Sequence, residues 1–361
     1  MPFSPITQNS AAGIQCSNSE VKMKKLIICA LIVCLAAACL CFAACDTDDG
    51  VIRLTEVTHS VFYAPLYVAI EGGYFEEEGI TIELSNGGGA DSCMTALLAG
   101  QADIGLHGPE ACIYVANQGR DDHPIVFAQL TKKDGSFLVG RNPMPDFKWS
   151  DLEGSEVIGG RVGGVPAMTL EYLFEQNGLF DGNNITINYG IDFDLITAAF
   201  EAGTGDYCTM FEPVATNFQN AGKGYVIASV GEGAGDMPYT AFTATRSFID
   251  ENPELIDGFL RALIKAMNFV EENDGITVAN VLAPQFAGTD VEVLANAIEK
   301  YKQIDAYSTS PIMKQEDFEH LQDVIISAGV MDSRVDFSEV VDNSIAQAVL
   351  DKMNLTNQWK I

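Results

Sequence analysis

Basic residues are scarce in this chain of 361 residues, which has 20 lysines and arginines against 50 aspartates and glutamates. The formal net charge at pH 7 is −30. Binding to nucleic acid relies on clustered Lys and Arg that neutralise phosphates, so this composition argues against a nucleic-acid partner. The same deficit argues against electrostatic adhesion to anionic lipid.

Cysteine is scarce too, once the first 45 residues are set aside. Of nine cysteines, only Cys93, Cys112 and Cys208 lie beyond Cys45, and no CxxC pair occurs. No Cys/His spacing of the zinc-binding kind is present either. We therefore expect neither a disulfide scaffold nor a structural metal site, and we interpret the three cysteines as small buried apolar residues.

The N-terminal region contains a stretch typical of an export signal. Met23-Lys24-Lys25 precedes Leu26 to Ala44, which carries no charge, and the stretch ends in Phe42-Ala43-Ala44-Cys45. A positive start, an apolar run and small residues before a break form a secretory signal. The ending resembles a bacterial lipobox, in which the cysteine is lipidated, so we predict lipidation at Cys45. An uncleaved anchor is the alternative, because nineteen apolar residues can also span a bilayer.

Short β-rich segments alternate with helical segments between residues 51 and 245. The predicted strands are 51–57, 80–84, 102–106, 124–130, 136–140, 156–159, 185–189, 206–211, 225–230 and 240–245. From residue 252 the pattern is helical to the end of the chain. Strands that alternate with helices predict an α/β fold whose sheets are mainly parallel and covered by helices on both faces.

Two series of such units indicate two doubly wound lobes, joined by two hinge strands near residues 135–140 and 238–245. A cleft between two lobes is a common place for a small-molecule site. We divide the chain into a gene-start artefact or disordered segment, a lipoprotein signal, an acidic linker, the first part of lobe I, lobe II, and the helical second part of lobe I. Their respective ranges are 1–22, 23–44, 45–50, 51–137, 138–245 and 246–361.

Candidate ligand contacts follow the predicted strands. Open α/β sheets bind ligands beyond the carboxyl ends of their strands, where helix N-termini offer free N–H groups. This rule selects Tyr63, Gly88, Asp91, His107 and Glu110 in lobe I, and Arg161, Asp192 and Glu212 in lobe II. Glu110 and Glu212 are expected to face each other across the cleft.

Each candidate also has a structural interpretation. The glycines at 87–89 fit a tight turn, since glycine adopts positive φ readily. A carboxylate at a helix start, such as that of Glu110 or Glu212, is stabilised by the helix dipole without any ligand. Arg161 either steers a ligand carboxylate or neutralises acids of the cleft.

The segment FYAPLYVAIEGGYFEEEGI, from Phe62, and the segment GGGADSCMTALLAGQADIGLHGPEACIYVANQG, from Gly87, resemble one known family. The family comprises solute-binding lipoproteins of ABC importers of the nitrate/sulfonate/taurine and thiamine-pyrimidine type. The resemblance extends over essentially all of residues 51–330. It implies a type II periplasmic-binding fold, a ligand clamped between two lobes and an ABC permease as partner. It places ligand contacts around Tyr63, Gly88, Glu110, Arg161 and Glu212.

Acids outnumber bases among the candidate contacts, with Asp91, Glu110, Asp192 and Glu212 against Arg161. Carboxylates accept hydrogen bonds from N–H groups, so we expect a planar, nitrogen-rich solute such as an aminopyrimidine. No GxSxG, HExxH or Cys/His pair occurs, which favours a binding protein over an enzyme. We expect no cofactor, a monomer, and a lipid anchor at the extracytoplasmic membrane face. A biosynthetic enzyme on the same fold and a ligand-sensing ectodomain are the alternatives.

Overall fold

The computed structural model describes residues 50–358 apart from Asp121. The segments 1–22 and 23–44, the lipobox with Cys45, and all of the acidic linker except Gly50 lie outside the described residues.

Ten strands form two sheets of five strands each. The strands are β1 (Val51–Glu56), β2 (Thr81–Asn86), β3 (Ile104–His107), β4 (Pro124–Thr131), β5 (Ser136–Gly140), β6 (Glu156–Ile158), β7 (Thr186–Asn188), β8 (Tyr207–Phe211), β9 (Tyr225–Ser229) and β10 (Thr240–Thr245). The strand orders are β2-β1-β3-β10-β4 and β7-β6-β8-β5-β9. Lobe I denotes the elements around the first sheet, and lobe II those around the second.

Helices surround both sheets in the described part of the chain. They are α1 (Ala64–Glu71), α2 (Tyr74–Glu77), α3 (Ala90–Leu98), α4 (Glu110–Asn117), α5 (Val165–Gln176), α6 (Ile196–Glu201), α7 (Val214–Asn220), α8 (Val230–Ala234), α9 (Arg246–Glu251), α10 (Pro253–Glu272), α11 (Gly275–Leu282), α12 (Val291–Gln303), α13 (Gln315–Ser327), α14 (Phe337–Val340) and α15 (Asn343–Gln358). Short 3₁₀ turns occupy Val61–Tyr63, Trp149–Leu152, Phe193–Leu195 and Ala283–Phe286.

Each sheet contains one strand that runs against the others. In lobe I, β10 is antiparallel to β3 and β4, whereas β1 is parallel to β2 and β3. In lobe II, β5 is antiparallel to β8 and β9. Both exceptions follow a passage of the chain from one lobe to the other. The chain enters the new sheet at the edge where its other strands end, so the first strand there runs in the opposite direction.

The assignment of residues 240–245 to lobe II is wrong. Strand β10 lies inside the lobe I sheet, between β3 and β4, and its first five residues are buried. The pattern of apolar residues predicts that a strand forms, whereas the sheet that it joins depends on pairing with distant partners. The chain therefore returns to lobe I before Thr240.

The two passages between the lobes contact each other. Met237 N donates to Lys132 O at 2.9 Å, and Tyr239 N donates to Thr131 O at 3.2 Å. The Thr131 and Thr240 hydroxyl oxygens are 2.5 Å apart. Residues 132–135 and 235–239 thus run side by side as a two-stranded connection, which we call the hinge.

The long helix α10 covers the lobe I sheet. Its Phe259 ring contacts those of Phe75, Phe127 and Phe242, with centroid distances of 5.1, 5.9 and 5.1 Å. Burial of such aromatic side chains is a major contribution to core stability. No helix within residues 50–358 is both long enough and apolar enough to cross a membrane.

Candidate functional site: a cavity between the lobes

A partly enclosed cavity of about 60 Å³ lies where the strand ends of the two lobes meet. That volume holds roughly four to five water molecules, which suits a small solute. Both lobes supply walls, and the lining residues are Val57, Tyr63, Gly89, Ala90, Gly108, Glu110, Gly159, Gly160, Arg161, Gly164, Val165, Pro166, Ala167, Phe193, Phe211, Tyr239 and Thr240.

Helices α3, α4 and α5 begin at this cavity. Their N-cap residues Gly89, Pro109 and Gly164 make no side-chain capping hydrogen bond. The first N–H groups of a helix have no partner within the helix and carry a partial positive charge. The ends of α3 and α5 therefore present hydrogen-bond donors to a solute in the cavity.

Glu110 is the acidic side chain of the cavity wall. It is the first residue of α4, it is 2% exposed, and its Oε2 atom has no hydrogen-bond partner. Burial raises the pKa of this carboxyl to about 7, against lowering contributions from the backbone N–H of Glu110 and from Arg161. A buried polar atom without a partner is costly unless another group satisfies it. Oε2 is thus available to a solute.

Gly108 explains how the Glu110 carboxyl reaches this position. A Cβ atom on Gly108 would lie 1.9 Å from Glu110 Oε2 and 2.7 Å from its carboxyl carbon. Any larger residue would occupy the space that the carboxyl fills, so glycine permits the folded-back arrangement.

Aromatic rings from both lobes form another wall. Tyr63 and Tyr239 belong to lobe I and the hinge, whereas Phe193 and Phe211 belong to lobe II. The Phe193 and Phe211 centroids are 5.7 Å apart, and those of Phe211 and Tyr239 are 6.3 Å apart. Such rings offer flat apolar faces and negative π surfaces to a planar solute.

Behind the aromatic wall, the hinge holds a second buried carboxyl. Asp134 Oδ1 accepts hydrogen bonds from Ser136 N at 2.6 Å and Ser136 Oγ at 2.5 Å. Burial raises the pKa of Asp134 to about 6. The pKa of Tyr239 is well above its usual value because of burial and the nearby Asp134 carboxyl. Neither Asp134 Oδ2 nor the Tyr239 hydroxyl has a hydrogen-bond partner of normal geometry.

The expectation that ligand contacts follow the carboxyl ends of strands does not select the hinge residues Tyr239 and Asp134. Tyr239 and Asp134 precede β10 and β5, and these are the two antiparallel strands. At the cleft edge an antiparallel strand presents its amino end, so the residues before it, and not those after it, face the cavity.

Among the predicted contacts, the structure brings Tyr63, Glu110 and Arg161 together in the cavity wall. Asp91 lies at the mouth, where its Oδ2 is 2.8 Å from Arg161 Nη1 of the opposite lobe. Gly88 lines a shallower neighbouring pocket that shares Val57 and Phe193 with the cavity.

The structure places His107 and Asp192 away from the cavity wall. His107 is fully buried in β3, with Nε2 2.8 Å from Thr243 Oγ1 and Nδ1 2.9 Å from Gly108 O. Burial lowers the pKa of His107 to about 4. Asp192 is exposed, and its neighbour Phe193 is the residue that reaches the cavity.

The expectation that Glu212 faces Glu110 is wrong. Glu212 is fully buried, and its Oε1 is 2.6 Å from Lys300 Nζ and 2.9 Å from Thr216 Oγ1. A buried carboxylate needs such a charged partner. Glu212 therefore links lobe II to α12 instead of lining the cavity.

The remaining candidates for chemistry are structural. Cys93, Cys112 and Cys208 are buried free cysteines, as predicted, and burial raises the pKa of each thiol. Within the described part of the chain, no cluster of His, Cys, Asp and Glu could hold a metal ion.

Comparison with known proteins places these features in a family context. Residues 52–283 match the model of the NMT1-like family. The chain is 38% identical over 320 residues to YtlA of Bacillus subtilis (strain 168), a candidate binding protein, covering 88% of this chain and 96% of the relative.

Two solved structures have a similar fold. The alkanesulfonate-binding protein SsuA of Xanthomonas axonopodis pv. citri, bound to MOPS, matches with a TM-score of 0.66 and 18% identity, over 82% of this chain and 99% of its own. The periplasmic nitrate-binding protein NrtA of Synechocystis PCC 6803 matches with a TM-score of 0.65 and 15% identity, over 84% of this chain and 89% of its own.

Proposed function

Because the chain belongs to the NMT1-like family and has the periplasmic-binding-protein fold, we propose that it is the solute-binding component of an ABC importer. A solute in the cavity would contact both lobes and would therefore stabilise their closed arrangement over an open one. The closed protein would deliver the solute to the permease. The observation that carries this proposal is the cavity between the two lobes, with the unpartnered Oε2 atom of Glu110 in its wall.

Direct contacts between the lobes support closure around this cavity. The Tyr114 hydroxyl of lobe I donates to Gly163 O of lobe II at 2.9 Å. Ser60 Oγ donates to Glu212 O at 2.6 Å. These polar bonds are individually weak and easily exchanged for water, which suits an interface that opens and closes.

Binding is favoured over catalysis by the composition of the cavity wall. Its described residues include no serine, cysteine, histidine or lysine, and its one hydroxyl besides the tyrosines, on Thr240, is 2.5 Å from Thr131 Oγ1. Nucleophilic catalysis needs a nucleophile beside a base. Product formed from a candidate substrate would instead support the alternative, a biosynthetic enzyme on this fold.

We assign a planar, nitrogen-rich solute such as an aminopyrimidine to the cavity. Glu110 Oε2 would accept a hydrogen bond from an amino group, and the free N–H groups of α3 and α5 would donate to ring nitrogens. The aromatic wall would cover the faces of the ring. A fully ionised sulfonate or nitrate has no hydrogen to donate to Glu110.

Isothermal titration calorimetry with 4-amino-2-methylpyrimidine, taurine and nitrate tests this assignment. We expect the aminopyrimidine to bind, and taurine (a zwitterion at neutral pH) and nitrate to bind at least tenfold more weakly. Tighter binding of taurine or nitrate would reject the solute class while leaving the binding function intact. A chain that binds no small solute, with none co-purifying in native mass spectrometry, would reject the binding function.

We also propose that Cys45 carries a lipid anchor that holds the protein at the extracytoplasmic membrane face. The support is the Met23–Cys45 signal alone. Stable anchoring needs more than one acyl chain, which lipobox modification provides. Mass spectrometry of membrane-bound protein should find the acylated residue at Cys45. Cys45→Ser should release the protein, whereas Cys41→Ser, the matched control, should not; release by both or neither would contradict the anchor.

A further inference from the structure

We infer that the solute carries a positive charge, with Glu110 as its counter-ion inside the aromatic wall of the cavity. This inference rests on the proposed binding function and specifies the charge of the solute. It excludes neutral and anionic solutes of the same shape as preferred ligands.

The first step is the charge of the cavity wall. Glu110 lines the cavity, is almost fully buried and leaves Oε2 without a partner. No Lys, Arg or His within the described chain forms an ion pair with it. A buried carboxylate without a cationic partner is destabilised strongly, and a cation that enters the cavity supplies the missing partner.

The second step is the state of Arg161, the basic residue of the wall. Its Nη1 atom is 2.8 Å from Asp91 Oδ2 at the mouth of the cavity. The side chains of Arg161 and Asp91 are 42% and 63% exposed, so this pair is hydrated. Because Asp91 offsets the charge of Arg161, an ionised Glu110 is the one charged side chain of the described wall without a side-chain counter-ion, and the helix N-termini supply only partial positive charges.

The third step is the aromatic wall. Tyr63, Phe193, Phe211 and Tyr239 line the same cavity as Glu110. Aromatic faces attract cations, most strongly where water is excluded. A planar cation therefore gains from both the carboxylate and the rings, whereas an anion is repelled by both.

The size of the cavity restricts the solute further. At about 60 Å³ and only partly enclosed, the cavity restricts the solute to a small one, no larger than a single ring with one small charged substituent. We therefore assign the cavity to monocyclic amidinium-like or protonated aminoheterocyclic cations.

Proton linkage gives this inference a signature. Other titratable and charged groups face Glu110 from its own helix, the hinge and the neighbouring elements; they are Tyr63, Asp91, His107, Cys112, Tyr114, Arg161 and Tyr239. Burial keeps the tyrosines, the cysteine and His107 neutral near pH 7 by shifting their pKa values away from it. A cation favours ionised Glu110, so its affinity should rise with pH through the Glu110 pKa of about 7. An anion should show the opposite slope.

The test uses benzamidine, benzamide and benzoate, which share one shape and carry charges of +1, 0 and −1. We expect calorimetry on the full chain at pH 7.5 to give benzamidine at least tenfold higher affinity than benzamide, and benzoate the lowest. Benzamidine affinity should rise several-fold from pH 6 to pH 8. Equal or tighter binding of benzamide or benzoate, or no binding of all three, would overturn the cation assignment.

Glu110→Gln keeps the shape of the side chain and removes its charge. This variant should lose at least tenfold in benzamidine affinity, bind benzamidine and benzamide about equally, and show no pH slope. Glu232→Gln, an exposed control outside the cavity wall, should behave as the parent chain. A second variant, Gly108→Ala, should displace the Glu110 carboxyl and lower benzamidine affinity as well. Retained selectivity in both cavity variants would overturn the role of Glu110. The proposed binding function is judged separately, by whether any small solute binds or co-purifies in native mass spectrometry.

Discussion

At the scale of single residues, Glu110 shows how a buried carboxyl, which we propose binds the solute, lowers the stability of the protein without solute. Its native pKa of about 7 lies above the ordinary value of 4.5, because burial disfavours the charged form. The native state therefore binds more protons than the unfolded state between these two values. Stability decreases as the pH rises from about 4.5 to 7, and the full cost applies above pH 7.

Replacing this carboxyl by an amide should stabilise the empty protein in a pH-dependent way. We predict that Glu110→Gln raises the free energy of unfolding by about 2–3 kcal/mol at pH 8, and by little at pH 4.5, where the parent carboxyl is protonated. Urea denaturation at the two pH values measures the difference, with Glu232→Gln as the exposed control. An equal effect of Glu110→Gln at both pH values would contradict the burial of an ionisable group at this site.

Three of the residues that line the cavity were among those selected from the sequence because they follow predicted strands. Tyr63, Glu110 and Arg161 follow strands of their lobes and line the cavity, as expected. The strand-end rule does not select Phe193 and Phe211, because it looks for polar side chains. It selects their neighbours Asp192 and Glu212 instead. The ion pair between Glu212 and Lys300 could not be predicted from the sequence either, because Lys300 lies 88 residues away along the chain.

At the scale of elements, the hinge depends on a close backbone approach to helix α8. A Cβ atom on Gly231 would lie 2.1 Å from the carbonyl oxygen of Asp134 and 3.1 Å from its carbonyl carbon. Because backbone atoms cannot move aside as a flexible side chain can, only glycine fits here without shifting the hinge.

A methyl group at this position should therefore destabilise the fold. We predict that Gly231→Ala lowers the free energy of unfolding by about 1–3 kcal/mol, the usual range for overpacking. Glu232→Ala, the exposed neighbour on the same helix, should change it by less than about 0.5 kcal/mol. Thermal unfolding of the two variants measures the difference in stability, and equal stability would contradict the close contact.

The local sequence predicts the bounds of the elements closely, but it does not predict how the elements assemble into sheets. The predicted strands 136–140 and 240–245 have the observed bounds. Their antiparallel direction and the membership of β10 in the lobe I sheet come from long-range pairing, which period-two alternation does not encode. Helix α11 lies in the region from residue 252 that the sequence predicts to be helical, but its packing between α12 and α1 comes from tertiary contacts.

At the scale of the whole molecule, the two-lobed α/β fold and its family were predicted from the sequence and are confirmed by the sheets and the relatives. The proposed function places the ligand where both lobes meet, so that binding and closure of the lobes would be one event. Ser60, Tyr114 and Arg161 are among the side chains that span that junction in the structure. Their bonds can form only when the lobes approach each other.

Small-angle X-ray scattering of the chain, free and saturated with a solute that calorimetry shows to bind, tests most directly whether the lobes close over their ligand. We predict a smaller radius of gyration in the saturated sample and a return to the larger value when the solute is dialysed away. A bound solute that leaves the radius of gyration unchanged would contradict the account.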